Sequence, residues 1–460
     1  MAEPVAQVGR YLRHLQRTLK RREGPGATES YLARAAAGSL VLRVASLGLV
    51  FICHLLLTRL LGARAYGLYA YALAWMKALS VPATLGLERL LVREVAIYRA
   101  RSDWASWRGL LIWAGRTLFV AAVGIALVAV AVSWLIAGSA EGLQAFWLAM
   151  ALLPLLALLR LKQFVMQGMH RTVVGQIPET LVQPLLLTTL VAAYFASVGR
   201  LTATGAMGLN VAATLVALVC GVVLLERTLP ASVKESAPNT QPRVWLRSAV
   251  PLLLVSGINA MSGQIPVLML GAMRNAEAAG ILSIAKRLAD LTILPTLALS
   301  AVLTPTLATL WATHDRRGLQ RTITKCARGV TLVSLPIALV FIIFGRPLLE
   351  VFGAPFAAGT TALALLCVGQ IVNMFAGSIG LLLVMTGHER EVAFISTACA
   401  LLNFCLCASL IPRWGMAGAA VGAAASLIVW NLWLAWRVWR MLGIRSTIFA
   451  RLVERPHEAS

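Results

Sequence analysis

Charged side chains inside long apolar stretches are costly to keep and are therefore candidates for function. This chain has Arg43, Lys77, Arg116, Glu179, Lys286, Arg287 and Asp290 in such places. Lys286, Arg287 and Asp290 are spaced so that one helical turn can hold both cations near the carboxylate. Lys77 stands about eleven residues into its own apolar stretch, roughly 16 Å deep at helical rise. Arginine offers a bidentate fork to phosphate and lysine a mobile point charge, so Lys77, Lys286 and Arg287 can hold an anion. Asp290 can temper that binding or exchange salt bridges as the protein moves. The bland alternative is that Asp290 only neutralises its neighbours and that Lys77 snorkels. Arg43, about two turns into the first apolar stretch, either lines the mouth of a cavity or snorkels. Glu179, between Pro178 and Pro184, stands where a bent helix can open to water. Glu179 and Asp290 are thus candidate proton or cation sites, with a hydrogen-bonded packing role as the alternative for Glu179.

Enzymatic chemistry finds no comparable constellation. The six histidines are scattered without ligand spacing, and no catalytic set or metal site is expected. No phosphate-binding P-loop is present, so no cofactor and no direct ATP drive are expected. The seven cysteines lie in or beside apolar sequence and read as small packers.

The elements that must position these charges are membrane spans. The chain has 460 residues, 59% of them hydrophobic, with a mean hydropathy of +0.80. Apolar runs long enough to cross a bilayer recur from end to end. Twelve are expected, at 36–61, 65–87, 110–137, 143–166, 173–198, 202–225, 247–273, 278–304, 328–349, 357–385, 391–412 and 415–438. Residues 104–113 and 305–328 are amphipathic and read as short interfacial helices. The net charge of +23 does not point to nucleic acid, because the cations sit in short loops. With the N-terminus inside, 30 Lys and Arg fall on the cytoplasmic side, counting 160–172 as one such loop, and 5 on the other. Both termini are therefore expected in the cytoplasm. Residues 1–35 are basic; they form an interfacial helix on an anionic leaflet or a loose tail that helps set topology.

The chain repeats itself. Leu61-Gly62-Ala63 leads to Gly67 and Pro82, and Leu270-Gly271-Ala272 leads to Gly280 and Pro295; both the Gly and the Pro pairs are 213 residues apart. Gly205-Ala206 and Gly418-Ala419 keep that offset. Gly168-Met169-His170-Arg171 is echoed by Gly387-His388-Glu389-Arg390. The expected fold is an all-α polytopic membrane protein with about 12 transmembrane helices in two six-helix pseudo-symmetric lobes, the repeats running parallel. The expected division is a basic segment 1–35, a first lobe 36–228, a cytoplasmic linker 229–246, a second lobe 247–440 and a tail 441–460. Within the 229–246 segment, 230–243 has three Pro plus Ser, Asn and Lys and no apolar face, and reads as the linker joining the halves. At the 213 offset Lys77 faces Asp290, opposite charges at equal depth.

Arg59-Leu60-Leu61-Gly62, Tyr66-Gly67-Leu68-Tyr69, Gly86-Leu87, the basic run Arg89 to Arg93, the Gly-x-x-Arg turns and the Gly-Ala openings together resemble the multidrug/oligosaccharidyl-lipid/polysaccharide (MOP) exporter superfamily. Within it, the resemblance is to polysaccharide transporters of the O-antigen flippase type. It spans roughly residues 36–440. It implies a MATE-like, two-lobed V with a central cavity, and movement of sugars carried on undecaprenyl pyrophosphate between leaflets of a bacterial cytoplasmic membrane. Arg43, Lys77, Lys286, Arg287 and Asp290 would then be the substrate-binding set. The expected function is alternating-access flipping of a lipid-linked oligosaccharide for O-antigen, lipopolysaccharide or exopolysaccharide synthesis, not an enzymatic one. The expected partners are that glycolipid, membrane lipids, and a polysaccharide polymerase with its chain-length machinery. The rival is a multidrug or metabolite antiporter of the same superfamily, whose cation cavity would need more acidic groups than Glu179 and Asp290.

Overall fold

The computed structural model describes residues 25–84, 86–135, 139–246, 261–296 and 315–444, with single positions among 299–313. Among the described residues the chain is helical and has no strand. Helix α1 runs Pro25–Thr84, 60 residues. A straight helix of that length would be about 90 Å long, against a hydrocarbon core of about 30 Å. It must break, and it does so at Gly62 (φ 71°, ψ 174°), a backbone region closed to side chains with a Cβ. The last helix, Glu389–Leu442, breaks in the same way at Gly415 (φ 55°, ψ −126°).

Between them lie α2 (Leu87–Arg101), α3 (Trp104–Ser133) and α4 (Ala140–Gly168). Then α5 (Thr172–Ile177) passes through a π-helical turn, Pro178–Val182, into α6 (Gln183–Val198). After α7 (Ala203–Thr228) and the short α8 (Ala231–Glu235), the second half is described from α9 (Ile265–Met273) and α10 (Ala276–Leu291). It continues through α11 (Arg316–Ile343), α12 (Gly345–Glu350), a 3₁₀ turn (Ala354–Gly359), α13 (Thr360–Ala376), α14 (Ile379–Met385) and α15 (Glu389–Leu442). Among the described residues, eight helical stretches are long and apolar enough to cross a membrane. The breaks at Gly62 and Gly415 divide two of them, and α9 and α10 supply described parts of the seventh and eighth spans. The fold is the twelve-span, two-lobed bundle.

Some boundaries differ from the sequence reading. Residues 104–113 are no separate interfacial helix. They are the first turns of α3, because Trp107, Leu110, Ala114 and Leu118 form one buried face across the expected junction. The described part of 305–328 likewise runs on into α11. The ninth span stops at Ile343, and the tenth bends at Gly377 (φ 70°) before α14.

Large apolar side chains point outward on many helices; Leu332, Ile343 and Val120 are each more than two-thirds exposed, as lipid-facing residues should be. The interior mixes large apolar side chains such as Leu110, Met150 and Leu152 with many small residues. Ala114, Ala122, Ala145 and Ala149 are fully buried in α3 and α4, which lets helices pack closely where no hydrophobic effect drives them together.

The halves meet through the second part of α1 against α10. Gly67 and Gly280, the repeat's own matched glycines, touch there. A Cβ on Gly67 would lie 2.3 Å from the Ala276 carbonyl oxygen, and one on Gly280 2.5 Å from the Gly67 Cα. Nearby, Arg59 Nε donates to the Val351 carbonyl (2.6 Å) and Nη2 to that of Glu350 (3.4 Å). Phe51 packs edge-on against Phe352 and Tyr66 against Phe356. Among the described residues, the hydrogen bonds and ring contacts between halves cluster towards the end of the bundle that is poor in Lys and Arg.

The 229–246 segment is not loose. Val233 and Trp245 are buried, Trp245 Nε1 donates to the Tyr98 hydroxyl (3.0 Å), and its ring lies 5.1 Å from that of Trp113. Arg108 donates to the Ser236 carbonyl (2.7 Å) and Asn239 N–H to that of Ala105 (3.0 Å). Two buried apolar anchors and satisfied backbone groups make it a strap on the first half.

Replacing Gly280 by Leu forces α1 and α10 apart. We expect a loss of about 1–3 kcal/mol, the usual cost of overpacking, read as a lowered melting temperature of the detergent-purified protein. A melting curve identical to wild type would show that the crossing is loose.

Candidate functional site

Each half holds a cavity, and both lie at the level of the charged side chains. The first, about 190 Å³, is lined by Lys77, Arg160, Glu179, Gln183 and Asn210, with Tyr69 and His54 on the α1 side. Lys77 is exposed although it lies in mid-helix, because it projects into this open space. Glu179 sits in the π-helical turn. Pro184 has no N–H to return to the Thr180 carbonyl, and the Gln183 N–H reaches back five residues to Pro178. The widened turn brings the Glu179 carboxylate to Arg160, whose Nε donates to Oε1 at 3.3 Å. Sequence reasoning placed Arg160 in a cytoplasmic loop; it is well inside α4, and hydropathy misplaced it because a pairing partner 19 positions away is invisible to a sliding window.

Below the ion pair runs a polar chain. Gln183 Nε2 donates to the Thr214 hydroxyl (2.8 Å) and to Asn210 Oδ1 (3.4 Å), and Asn210 Nδ2 donates to the Tyr69 hydroxyl (3.1 Å). Satisfied amides of this kind fix helices in an apolar medium. Tyr66, one turn earlier on α1, shares a 3.0 Å hydrogen bond with His54 Nδ1.

The second cavity, about 300 Å³, is lined by Lys286, Asp290, Gln370, Asn403, Ser396 and Trp430, among others. Lys286 Nζ donates to Asp290 Oδ2 at 2.7 Å, the i, i+4 pair expected from spacing. Gln370 Nε2 donates to Asp290 Oδ1 (3.4 Å), and Asn373 Nδ2 to Gln370 Oε1 (3.3 Å).

The structure therefore separates the set read from sequence. Lys286 and Asp290 pair inside the second half. Arg287, one residue on and so about 100° around the helix, faces the first half, within electrostatic reach of His54, Tyr66 and Lys77. Lys77 and Asp290 form no ion pair; they face two different cavities. Arg43 belongs to α1, and its side chain lies outside the described residues. Among the described residues Lys77 and Arg287 have no carboxylate within ion-pair distance, whereas Glu179 and Asp290 each have a cation. Two cations at mid-depth without counter-ions are able to attract an anion. No group of three or more His, Cys, Asp or Glu able to hold a metal occurs among the described residues.

Matched positions line both cavities. At the 213 offset, Lys77 corresponds to Asp290, Gln183 to Ser396 and Asn210 to Ala423, and every one of these residues faces its cavity.

A family model described as polysaccharide biosynthesis protein matches residues 32–311. The chain belongs to that family. A second model, MatE, matches residues 251–408 of the same chain. No curated protein matches the sequence. Among solved structures, the fold is that of MOP superfamily transporters. An inward-facing multidrug resistance MATE family transporter is 14% identical, with 88% of this chain and 99% of that one covered and a TM-score of 0.70. An outward-facing structure of such a transporter gives 13% identity, 90% and 96% coverage and a TM-score of 0.62. A MOP superfamily transporter from Pyrococcus furiosus, for which reversed polarity of the binding pocket suggests a different function, gives 13%, 90% and 96%, and 0.62. This family member thus has a MATE-like transporter fold, and its structural relatives are transporters rather than enzymes.

A double-mutant cycle tests the ion pair at the π-helical turn. Arg160→Gln and Glu179→Gln should each destabilise the detergent-purified protein, and the double variant should recover part of the loss, with a coupling of about 0.5–3 kcal/mol. Strict additivity would mean that the pair contributes nothing.

Proposed function

We propose that this protein moves a lipid-linked oligosaccharide of the undecaprenyl pyrophosphate type across the bacterial cytoplasmic membrane by alternating access. The observation that carries the proposal is the cationic couple without carboxylate partners at mid-depth, Lys77 on the first-half cavity and Arg287 facing that half from the second. A pyrophosphate is the part of such a substrate that most needs a partner in low dielectric, and two cations without counter-ions supply one. The sugars follow into the polar space that the two halves enclose, and the prenyl chain remains in the bilayer.

The arrangement of contacts supports the direction of access. The halves are held together at the end poor in Lys and Arg, by Arg59, Phe352 and the Gly67–Gly280 crossing. By the positive-inside bias that end is external, so this form receives substrate from the cytoplasm. The better superposition on the inward-facing transporter is consistent with this. The same bias supports cytoplasmic termini, and the family's place in polysaccharide biosynthesis supports a polymerase as the consumer of the product.

The antiporter reading shares the fold. It is less well supported here, because both cavity carboxylates are already engaged by cations at 3.3 and 2.7 Å.

Deleting the gene in its host should abolish the surface polysaccharide and accumulate lipid-linked oligosaccharide in the inner leaflet. Plasmid-borne Lys77→Ala or Arg287→Ala should restore less than about a tenth of polysaccharide output, as expected when a charge-assisted contact is lost. Normal polysaccharide in the deletion strain, or full restoration by both variants, would remove this function.

A further inference from the structure

The two cavities share a register but not a chemistry. Lining residues Lys286, Asp290 and Trp430 of the second half correspond, at the 213 offset, to Leu73, Lys77 and Ala217 of the first. An apolar or small residue has thus become an indole in one place and a cation in another, and a lysine has become a carboxylate. Ala217 is fully buried against its neighbours, whereas Trp430 forms a wall of open space.

That wall is held in place. Trp430 Nε1 donates to the Ser396 hydroxyl at 3.1 Å, and the far edge of its ring sits over Gly380, where an added Cβ would lie 3.4 Å from it. The N–H is thereby satisfied, and the half-buried ring, which lines the cavity, can offer an apolar contact. Opposite chemistry lies beside it. The half-exposed Asp290 carboxylate accepts hydrogen bonds, and the Gln370 amide both donates and accepts. The cavity's 300 Å³ is at the lower end of small-molecule sites, which run to about 1,000 Å³. A fixed aromatic face next to a carboxylate and an amide suits a pyranose ring, which has a C–H face for stacking and hydroxyls on its edge.

We propose that the second-half cavity is a sugar subsite. Trp430 stacks on a sugar of the lipid-linked head group, Asp290 and Gln370 bond its hydroxyls, and Lys286 holds the Asp290 carboxylate in position. Lys77 and Arg287 take the pyrophosphate. This rests on the flippase reading above and adds to it a division of the head group between matched cavities. The first-half cavity has amides but no indole at the position matching Trp430, where Ala217 is buried, so the stacked sugar takes the second half and the substrate binds in one orientation.

The probes for the test are two lipids. One is undecaprenyl pyrophosphate without sugar. The other is the glycolipid fraction extracted from a strain lacking this gene, in which the unflipped substrate collects. Affinities are measured on the full chain in nanodiscs. Wild type should bind the glycolipid at least tenfold more tightly than the sugar-free lipid. Trp430→Ala and Gln370→Ala should each bring the two affinities to within about threefold, by weakening the glycolipid alone. Trp430→Phe, which keeps an aromatic face and guards against a folding defect, should retain most of the preference. The subsite is overturned, with the flippase reading intact, if wild type binds both lipids equally. It is also overturned if Trp430→Ala and Gln370→Ala keep the wild-type ratio or weaken both lipids alike. If the deletion strain collects no glycolipid, or wild type binds neither lipid, the flippase reading itself fails and the subsite with it.

Discussion

The structure depends on two glycines from opposite halves occupying the same place. Gly67 and Gly280 bring α1 and α10 to backbone distance, closer than any side chain permits. The level of the charges follows from that contact. Lys77 lies ten residues beyond Gly67 and Asp290 ten residues beyond Gly280, so each is about 15 Å further into the membrane from a shared crossing point. The crossing also places Tyr66 against the second half and directs Arg287 towards the first. One steric fact thus sets where the lobes meet, how deep the cations lie and which of them share a space.

The lobes follow one plan with different electrostatics. In the first, the carboxylate belongs to the π-helical turn and is engaged by an arginine of α4, leaving Lys77 without a counter-ion. In the second, the carboxylate replaces that lysine in the register and is engaged one turn back on its own helix. Lys77, Arg160, Lys286 and Arg287 outnumber Glu179 and Asp290, and the local pairing decides where the excess lies. Both acids are engaged close by, which leaves the positive charge on Lys77 and Arg287.

Much of this was legible in the residues. The spans, their pairing into halves and the 213 offset could be read because hydropathy and Gly/Pro punctuation are local signals. The i, i+4 pairing of Lys286 with Asp290 was equally local. Arg160 was missed as a cavity residue because its partner, Glu179, is on another helix. Arg287 was grouped with Lys286 because adjacency in sequence hides the turn of the helix between them. Trp430 carries no local signal of a site within its span, and only the cavity beside it marks it out. The strap read simply as a linker because its composition shows no apolar face, while its order comes from Val233, Trp245 and backbone groups meeting α2 and α3.

That strap changes how the halves are tethered. A free 18-residue connection would let its ends wander over roughly 23 Å, by square-root scaling of a flexible chain. Anchored through Trp245, the first half carries the connection with it and presents the start of the second half from a nearly fixed point. The halves then meet at a high effective concentration. Such a tether favours the register in which one glycine meets the other over one slipped by a turn.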